Sequence, residues 1–177
     1  VVRYGNVSGS KGSVIPFFLK QRERGILPIT DPRMTRFWIT LQQGVDFVIQ
    51  GLDQMLGGEI FVPKLPSVRI VDIATAVGPE CRLEVVGIRP GEKLHEVMVP
   101  ADDARHTLEH ANYYTILPQF SGWNDVEYAN QNGGEACADG LCYSSDTNDH
   151  WLSVDDLRDI VSEYKNGVVG EDRDEKK

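Results

Sequence analysis

The feature that most constrains the fold is an alternation of short strand-like segments with helical segments. The strand-like segments are apolar or β-branched and are bounded by Gly or Pro; they cover residues 1–4, 27–30, 59–63 and 83–88. The helical segments repeat apolar residues every three or four positions; they cover residues 14–19, 41–52, 68–77 and 151–164. Because strands and helices alternate, we predict the α/β fold class.

Composition excludes several classes of partner. The net charge of −9 argues against general nucleic-acid binding. No apolar run reaches the length of a membrane span, so we expect no membrane partner. The three cysteines (Cys81, Cys137 and Cys142) are sparse and lack zinc-ligand spacing. We therefore expect free thiols, a cytoplasmic location and no metal site.

Local signals divide the chain into four segments. Ser13, Thr40 and Ser153 are expected N-caps of helices. We assign residues 1–120 to a ligand-binding unit and the polar residues 121–150 to a loop or ordered insertion. Residues 151–166 are expected to form a C-terminal helix, and residues 167–177 a disordered charged tail. Because the chain opens on a core-like strand, we infer that it is the C-terminal part of a longer chain; the alternative is a trimmed N-terminus.

An Arg-Pro-Gly-Glu turn is the clearest candidate ligand site. Arg89 can grip phosphate oxygens with its guanidinium. Pro90 and Gly91 set the turn, and Glu92 can accept hydrogen bonds from ribose hydroxyls. A Gly/Ser loop before Val14 leads into a second candidate, a helix start whose backbone N–H groups attract phosphate. From that loop alone, an ordinary strand-to-helix turn is the favoured alternative.

Complete catalytic motifs are missing from the sequence. It has no Gly-x-Gly-x-x-Gly fingerprint, no tyrosine followed by lysine four residues later, and no Gly-x-Ser-x-Gly elbow. His95 and Glu96 lack the second histidine of a zinc motif and are read as a surface or packing pair. We therefore assign no catalytic residue to this chain.

Four sequence blocks, at residues 2–18, 28–40, 58–64 and 87–96, together resemble one family. They are similar to the C-terminal half of the inverting UDP-N-acetylglucosamine 4,6-dehydratases, which are extended short-chain dehydrogenases. Residues 143–148 and 151–154 also resemble the C-terminal end of that family. The resemblance implies the C-terminal part of an NAD(P)-binding Rossmann-type fold, mostly its smaller substrate-binding domain. Residues 1–18 then hold the last Rossmann strand and the ligand loop.

The resemblance also implies a function for the longer protein. That function is C5-inverting dehydration of a UDP-sugar to a 4-keto-6-deoxy sugar nucleotide, which feeds pseudaminic acid or another surface glycan. It implies NADP, bound mainly outside this chain, and a homo-oligomer. The family's Thr-Asp-Lys and Tyr-x-x-x-Lys motifs lie upstream of Val1.

Binding roles follow from the same resemblance. Asn6 matches a substrate-contacting asparagine, and Arg36 and Arg89 match arginines on the diphosphate. Glu92 matches the partner of the ribose, with Pro90 and Gly91 in the same turn. The segment along the substrate comprises Val14, Ile15, Pro16, Phe17 and Phe18. From the residues alone, Arg36 as a surface ion pair and Phe17 and Phe18 as core packing are the simpler interpretations.

Two other functions stay open. One is another extended short-chain enzyme acting on nucleotide sugars, such as a 4-epimerase or a reductase, because turns like the one at Arg89 serve several of these. The other is a non-catalytic, truncated fragment that binds UDP-sugars, which the missing catalytic motifs would fit.

Overall fold

The computed structural model describes residues 1–8, 13–119 and 125–166 and has the predicted α/β class. Its strands are short. They are β1 (Asn6–Val7), β2 (Ile26–Ile29), β3 (Thr35–Ile39), β4 (Ile60–Pro63), β5 (Ser67–Arg69), β6 (Arg82–Val85), β7 (Val97–Val99), β8 (Thr107–Glu109), β9 (Tyr113–Ile116), β10 (Glu135–Ala136) and β11 (Tyr143–Ser144). The helices are α1 (Val14–Arg22), α2 (Leu41–Gln54), α3 (Ile70–Val77), α4 (Asp125–Asn132) and α5 (Val154–Lys165), with a 3₁₀ helix at Ala101–His106.

The strands form four small sheets that mix parallel and antiparallel pairs. β3 lies between β1, which runs parallel to it, and β5, which runs antiparallel. β4, β9, β8 and β10 form an antiparallel sheet. β2 pairs in parallel with β6, and β7 pairs antiparallel with β11. The first apolar core lies among α1, β2, α3 and α5, and the second lies beneath β3, β4, β9 and β11.

Several predicted elements have different bounds. Residues 1–4 form no continuous strand; Val2 makes a parallel bridge to Phe61, and β1 follows at Asn6. The helix predicted from residue 68 begins instead at Ile70, because Ser67 and Val68 pair antiparallel with β3. Within the polar segment predicted as a loop or ordered insertion, residues 125–150 contain α4, β10 and β11. The predicted disordered tail, residues 167–177, lies outside the described residues.

Two of the three expected helix caps form as predicted. The Thr40 hydroxyl accepts from the Gln43 amide at 3.2 Å, and the Gln43 side chain accepts from the Thr40 amide. Ser153 and Asp156 make the same reciprocal pair at the start of α5. Ser13 occupies the N-cap position of α1, but its hydroxyl does not cap the helix.

Helix α2 turns its apolar stripe outward. Leu41, Val45, Ile49 and Leu52 are between 45% and 64% exposed, although they recur at the spacing of a core face. The buried side of α2 is made by Gly44, Phe47 and Gly51. A Cβ atom at Gly51 would lie 3.3 Å from Val2 Cγ2, so glycine lets the helix approach the bridge between Val2 and Phe61. The helix therefore packs through small residues and leaves its apolar stripe uncovered.

We predict that the 177-residue chain self-associates through this stripe when produced alone, because a contiguous apolar surface favours burial against another molecule. Val45→Glu combined with Ile49→Lys places opposite charges four residues apart on α2. Light scattering should then detect less association. The control, Gln42→Glu combined with Asp46→Lys, places a glutamate and a lysine at exposed polar positions of the same helix and should leave the association unchanged. A wild-type chain that is monomeric with a cooperative, high-temperature melt would contradict the prediction.

Candidate functional site

A cavity of about 700 Å³ opens where β3, the start of α1, α3 and the segment after β6 meet. The residues that line it include seven of the predicted site residues. Those are Asn6, Val14, Phe17, Phe18, Arg36, Arg89 and Glu92. Residues that come from chain positions 6 to 92 therefore converge on one cavity.

The pleat of β3 decides which of its side chains reach this cavity. Successive side chains of a strand point to opposite faces. Arg36 and Trp38 line the cavity, whereas Phe37 and Ile39 are buried in the second core. Gly5 allows the N-terminal segment to lie against β3, because a Cβ atom there would be 2.5 Å from Phe37 Cβ. That close approach places Asn6 directly beside Trp38 in the parallel pair.

Arg36 ties β3 to residues 92–96 by its guanidinium. Nη1 donates to the carbonyl oxygens of Thr35 at 2.7 Å and Leu94 at 3.1 Å, and Nη2 donates to that of Lys93 at 2.9 Å. The carboxylates of Glu92 and Glu96 lie 3.9 and 3.8 Å from Nη2 and Nε. Three hydrogen bonds to backbone carbonyls and two nearby carboxylates thus hold this guanidinium within the protein. The surface ion pair considered from the sequence does not describe Arg36, whose side chain is 13% exposed.

Arg89 is placed very differently. Its side chain is exposed on the cavity wall, and no hydrogen-bonding or ionic partner for it exists within the described part of the chain. Its backbone N–H donates to the Glu92 carboxylate at 3.2 Å, and the Glu92 N–H donates to the Arg89 carbonyl at 3.0 Å. Gly91 has φ +82°, a conformation that glycine adopts without strain. The turn therefore presents to the cavity a guanidinium that no described residue binds.

Asn6 and Glu96 form a polar pair at the cavity edge. With the amide oriented so that its nitrogen faces the carboxylate, Asn6 Nδ2 donates to Glu96 Oε1 at 2.9 Å and Oε2 at 3.2 Å. Glu96 also accepts from the Phe37 N–H at 3.2 Å. Orienting Asn6 in this way leaves its amide oxygen as the free acceptor.

The start of α1 places only part of the predicted substrate segment on the cavity. Val14, Phe17 and Phe18 line it. Ile15 is fully buried in the first core, and Pro16 is half-buried and does not line the cavity. Phe17 is 41% exposed, so it is not the core residue that the simpler interpretation assumed. Phe18, at 1% exposure, is both core and cavity wall.

A buried hydroxyl network supports the site from behind. The Thr35 hydroxyl lies 2.8 Å from His95 Nδ1 and 2.7 Å from the Ser145 hydroxyl. The Ser144 hydroxyl donates to Asp146, which lowers the pKa of that carboxyl. His95 Nε2 lies 4.0 Å from Asp146 Oδ2. Because Thr35 and Ser145 are buried and line neither cavity, this arrangement holds residues 95–96 in place and offers no reachable nucleophile.

A second, smaller cavity of about 360 Å³ adjoins the first at Arg36. Arg3 and Lys93 line it, and the Arg3 guanidinium donates to the Met98 carbonyl at 2.7 Å. With Arg89, these side chains make the cavity region locally cationic in a chain of net charge −9. Local arginines and lysines therefore suit an anionic small ligand here despite the acidic total.

The described residues were compared with the requirements of a metal site and of a membrane-spanning helix. Within residues 1–8, 13–119 and 125–166, no group of three or more His, Cys, Asp or Glu side chains could hold a metal ion. No helix in this part of the chain is long and apolar enough to cross a membrane.

Comparison with known proteins assigns the family. Residues 1–118 match the family model described as polysaccharide biosynthesis protein. The chain belongs to this family. Two Campylobacter jejuni proteins named UDP-N-acetylglucosamine 4,6-dehydratase (inverting) are 48% and 49% identical over 92% of this chain. The resemblance found in the four sequence blocks is therefore confirmed.

A less similar relative and a solved structure were also found. A Rickettsia akari protein named UDP-glucose 4-epimerase is 40% identical over 72% of this chain. The solved structure of Pen from Bacillus thuringiensis superposes with a TM-score of 0.77 at 28% identity and covers 93% of this chain. The fold is that of a C-terminal part of an extended short-chain dehydrogenase. The chain spans about half the length of the dehydratases and 49% of Pen.

The two arginines should respond differently to substitution. We predict that Arg89→Ala weakens binding of UDP at least tenfold without changing the melting temperature, because it removes a charge-assisted phosphate contact and no internal one. Arg36→Ala should lower the free energy of unfolding by about 1.5–3 kcal/mol, because it leaves the carbonyls of Lys93 and Leu94 without their charged donor. Calorimetry and chemical denaturation measure the two effects.

The matched control for both is Arg24→Ala, an exposed arginine that does not line either cavity. It should change neither UDP affinity nor stability. Unchanged UDP affinity in the Arg89 variant would contradict the phosphate role of that residue.

Proposed function

We propose that this chain supplies the nucleotide-sugar-binding half of a C5-inverting UDP-N-acetylglucosamine 4,6-dehydratase. The observation that carries the proposal is the free Arg89 guanidinium on a cavity that Asn6 and Glu92 also line. Identity of 48–49% to proteins that bear this name supports the choice of reaction. The product would be a 4-keto-6-deoxy sugar nucleotide for pseudaminic acid or another surface glycan.

The ligand assignment follows from the chemistry of the cavity wall. Arg89 offers a fork of N–H donors, which matches the oxygens of a phosphate. The Glu92 carboxylate accepts, which suits ribose hydroxyls, and Asn6 offers its amide oxygen to hydroxyl groups of the sugar. Pro28, Met34 and Ile73 supply apolar wall that a base or sugar ring can contact. These features together favour a nucleotide diphosphate sugar over a free phosphate.

Arg36 then acts mainly as a positioning residue. Its donors hold the backbone of residues 93–94 and so fix the turn that carries Arg89. Direct contact between Arg36 and the diphosphate requires at least one of those hydrogen bonds to be exchanged for a phosphate oxygen. We propose that Arg89 provides the first contact and that Arg36 sets the geometry.

The nicotinamide cofactor would be held mainly by residues outside this chain. The sequence carries no Gly-x-Gly-x-x-Gly fingerprint. The cofactor would accept and return the hydride of the dehydration. We propose NADP rather than NAD. The residues of this chain contribute ligand binding and orientation.

We propose that the remaining half lies N-terminal to Val1 and carries the catalytic residues. The half-length match to the dehydratases supports this arrangement. The exposed stripe of α2 supports it as well, because another part of the same protein would bury those side chains. We further propose that the full-length protein is a cytoplasmic homo-oligomer.

The runner-up function is a nucleotide-sugar 4-epimerase. It is favoured by the 40% identity to a protein named UDP-glucose 4-epimerase over 72% of the chain. A non-catalytic UDP-sugar-binding fragment is the alternative if no catalytic half precedes Val1.

Incubation of the full-length protein with UDP-N-acetylglucosamine separates these functions. We predict a product that has lost one water and whose NMR spectrum shows a 4-ketone, a C6 methyl group and inverted C5. An isomer of unchanged mass would indicate the epimerase and contradict the dehydratase. Binding of UDP-N-acetylglucosamine without turnover would indicate the binding fragment.

A further inference from the structure

Two residues that line the main cavity each have a buried polar atom for which the described residues offer no hydrogen-bonding partner. These atoms are Trp38 Nε1 and the Ser13 hydroxyl oxygen, and both are shielded from solvent. Trp38 is 5% exposed, and its ring packs in the first core. Within the described part of the chain, no other buried side-chain nitrogen or oxygen lacks a partner. Both exceptions therefore occur in one place.

An unpaired buried indole N–H is unusual, because buried polar groups in folded proteins are almost always hydrogen-bonded. Trp151 shows the ordinary arrangement in this same molecule, since its Nε1 donates to the Asn148 carbonyl at 2.6 Å. Leaving the Trp38 donor unpaired costs free energy that a hydrogen bond would offset. Such a group is explained if its partner is a molecule that the protein binds.

The position of Trp38 fits a ligand contact. Its side chain is on the same face of β3 as Arg36 and beside Asn6, so it lies between the arginine turn and the start of α1. An indole N–H can only donate, so its partner must offer an acceptor oxygen. In a uridine nucleotide, the phosphate oxygens, the ribose oxygens and the carbonyl oxygens of uracil all qualify. The Ser13 hydroxyl, at the N-cap of α1, can donate to or accept from the same ligand.

We propose that Trp38 is a ligand-binding residue whose Nε1–H donates to an acceptor oxygen of the uridine nucleotide. This inference rests on the proposed function, because it requires a uridine nucleotide in the main cavity. The wall has to adjust to admit the ligand atom, and Phe17, which lines the cavity and is 41% exposed, has room to move. Binding thus satisfies a donor that the unliganded protein leaves unpaired.

Trp38→Phe tests the proposal, because it removes the donor and keeps an aromatic ring in the core. In the full-length protein, we expect UDP to bind about tenfold more weakly to this variant. The melting temperature without ligand should fall only as far as the smaller ring leaves a gap in the core, because no hydrogen bond is lost from the unliganded fold. The control is Trp151→Phe, which should lower the melting temperature and leave UDP affinity unchanged.

Calorimetry with uridine, UMP and UDP identifies the acceptor. A loss of affinity already present with uridine assigns it to the base or ribose, and a loss that begins with UMP or UDP assigns it to a phosphate. Equal UDP affinity of Trp38→Phe and wild type overturns the Trp38 assignment alone and leaves the proposed function standing. A wild-type protein that binds no uridine nucleotide overturns both.

The indole ¹⁵N–¹H resonance of wild-type Trp38 gives a readout that does not depend on the variant folding. We expect UDP to shift the Trp38 resonance in a saturable way and to leave that of Trp151 in place. An unmoved Trp38 resonance at saturating UDP overturns the assignment.

Discussion

The candidate site depends on Arg36 holding residues 92–96 against β3. This one guanidinium donates to three backbone carbonyls and lies within 4 Å of two carboxylates. The turn that carries Arg89 has mostly exposed side chains and few buried contacts of its own, so its position relative to β3 relies on these bonds. The buried hydroxyls of Thr35 and Ser145 hold His95 and Glu96 from the opposite side. The floor of the cavity and its ligand-facing turn are thus joined by polar contacts around β3.

The cavity combines groups that are fully satisfied with groups that are not. The side chains of Arg36 and Glu96 have partners within the protein. The Arg89 guanidinium, Trp38 Nε1 and the Ser13 hydroxyl have none among the described residues. A binding site needs both kinds: the satisfied groups keep the wall in shape, and the unsatisfied ones retain their hydrogen-bonding capacity for the ligand. Under the proposed function, the groups with partners position the site and the groups without partners contact the ligand, a distinction that family resemblance alone does not make.

Local sequence signals predicted which helices and strands form better than they predicted what those elements pack against. The Thr40 and Ser153 caps and strand β4 follow from short-range rules, and the structure contains them. The helical pattern from residue 68 was wrong at its start, because pairing of Ser67 and Val68 with β3 outweighs local preference. Periodicity also found the apolar stripe of α2 but not its exposure, since the buried side of that helix consists of two glycines and Phe47. Such a face carries little hydrophobic signal.

For the site, the sequence identified the Arg89 turn. It did not reveal the hydrogen bonds of Arg36 to carbonyl oxygens 57 and 58 residues away along the chain. Trp38 was missed as well, although its spacing from Arg36 on a predicted strand would have placed both on one face. Family resemblance placed Ile15 and Pro16 on the ligand, whereas helix geometry turns only Val14, Phe17 and Phe18 toward the cavity. Which side chains of a segment face a cavity depends on packing that residue spacing does not specify.

The most direct test of the account is a crystal structure of the full-length protein with UDP. The account predicts UDP in the main cavity, with the diphosphate within hydrogen-bonding distance of the Arg89 guanidinium and the ribose hydroxyls on the Glu92 carboxylate. UDP bound at another surface, with the Arg89 turn empty at a concentration that saturates binding in solution, would contradict it.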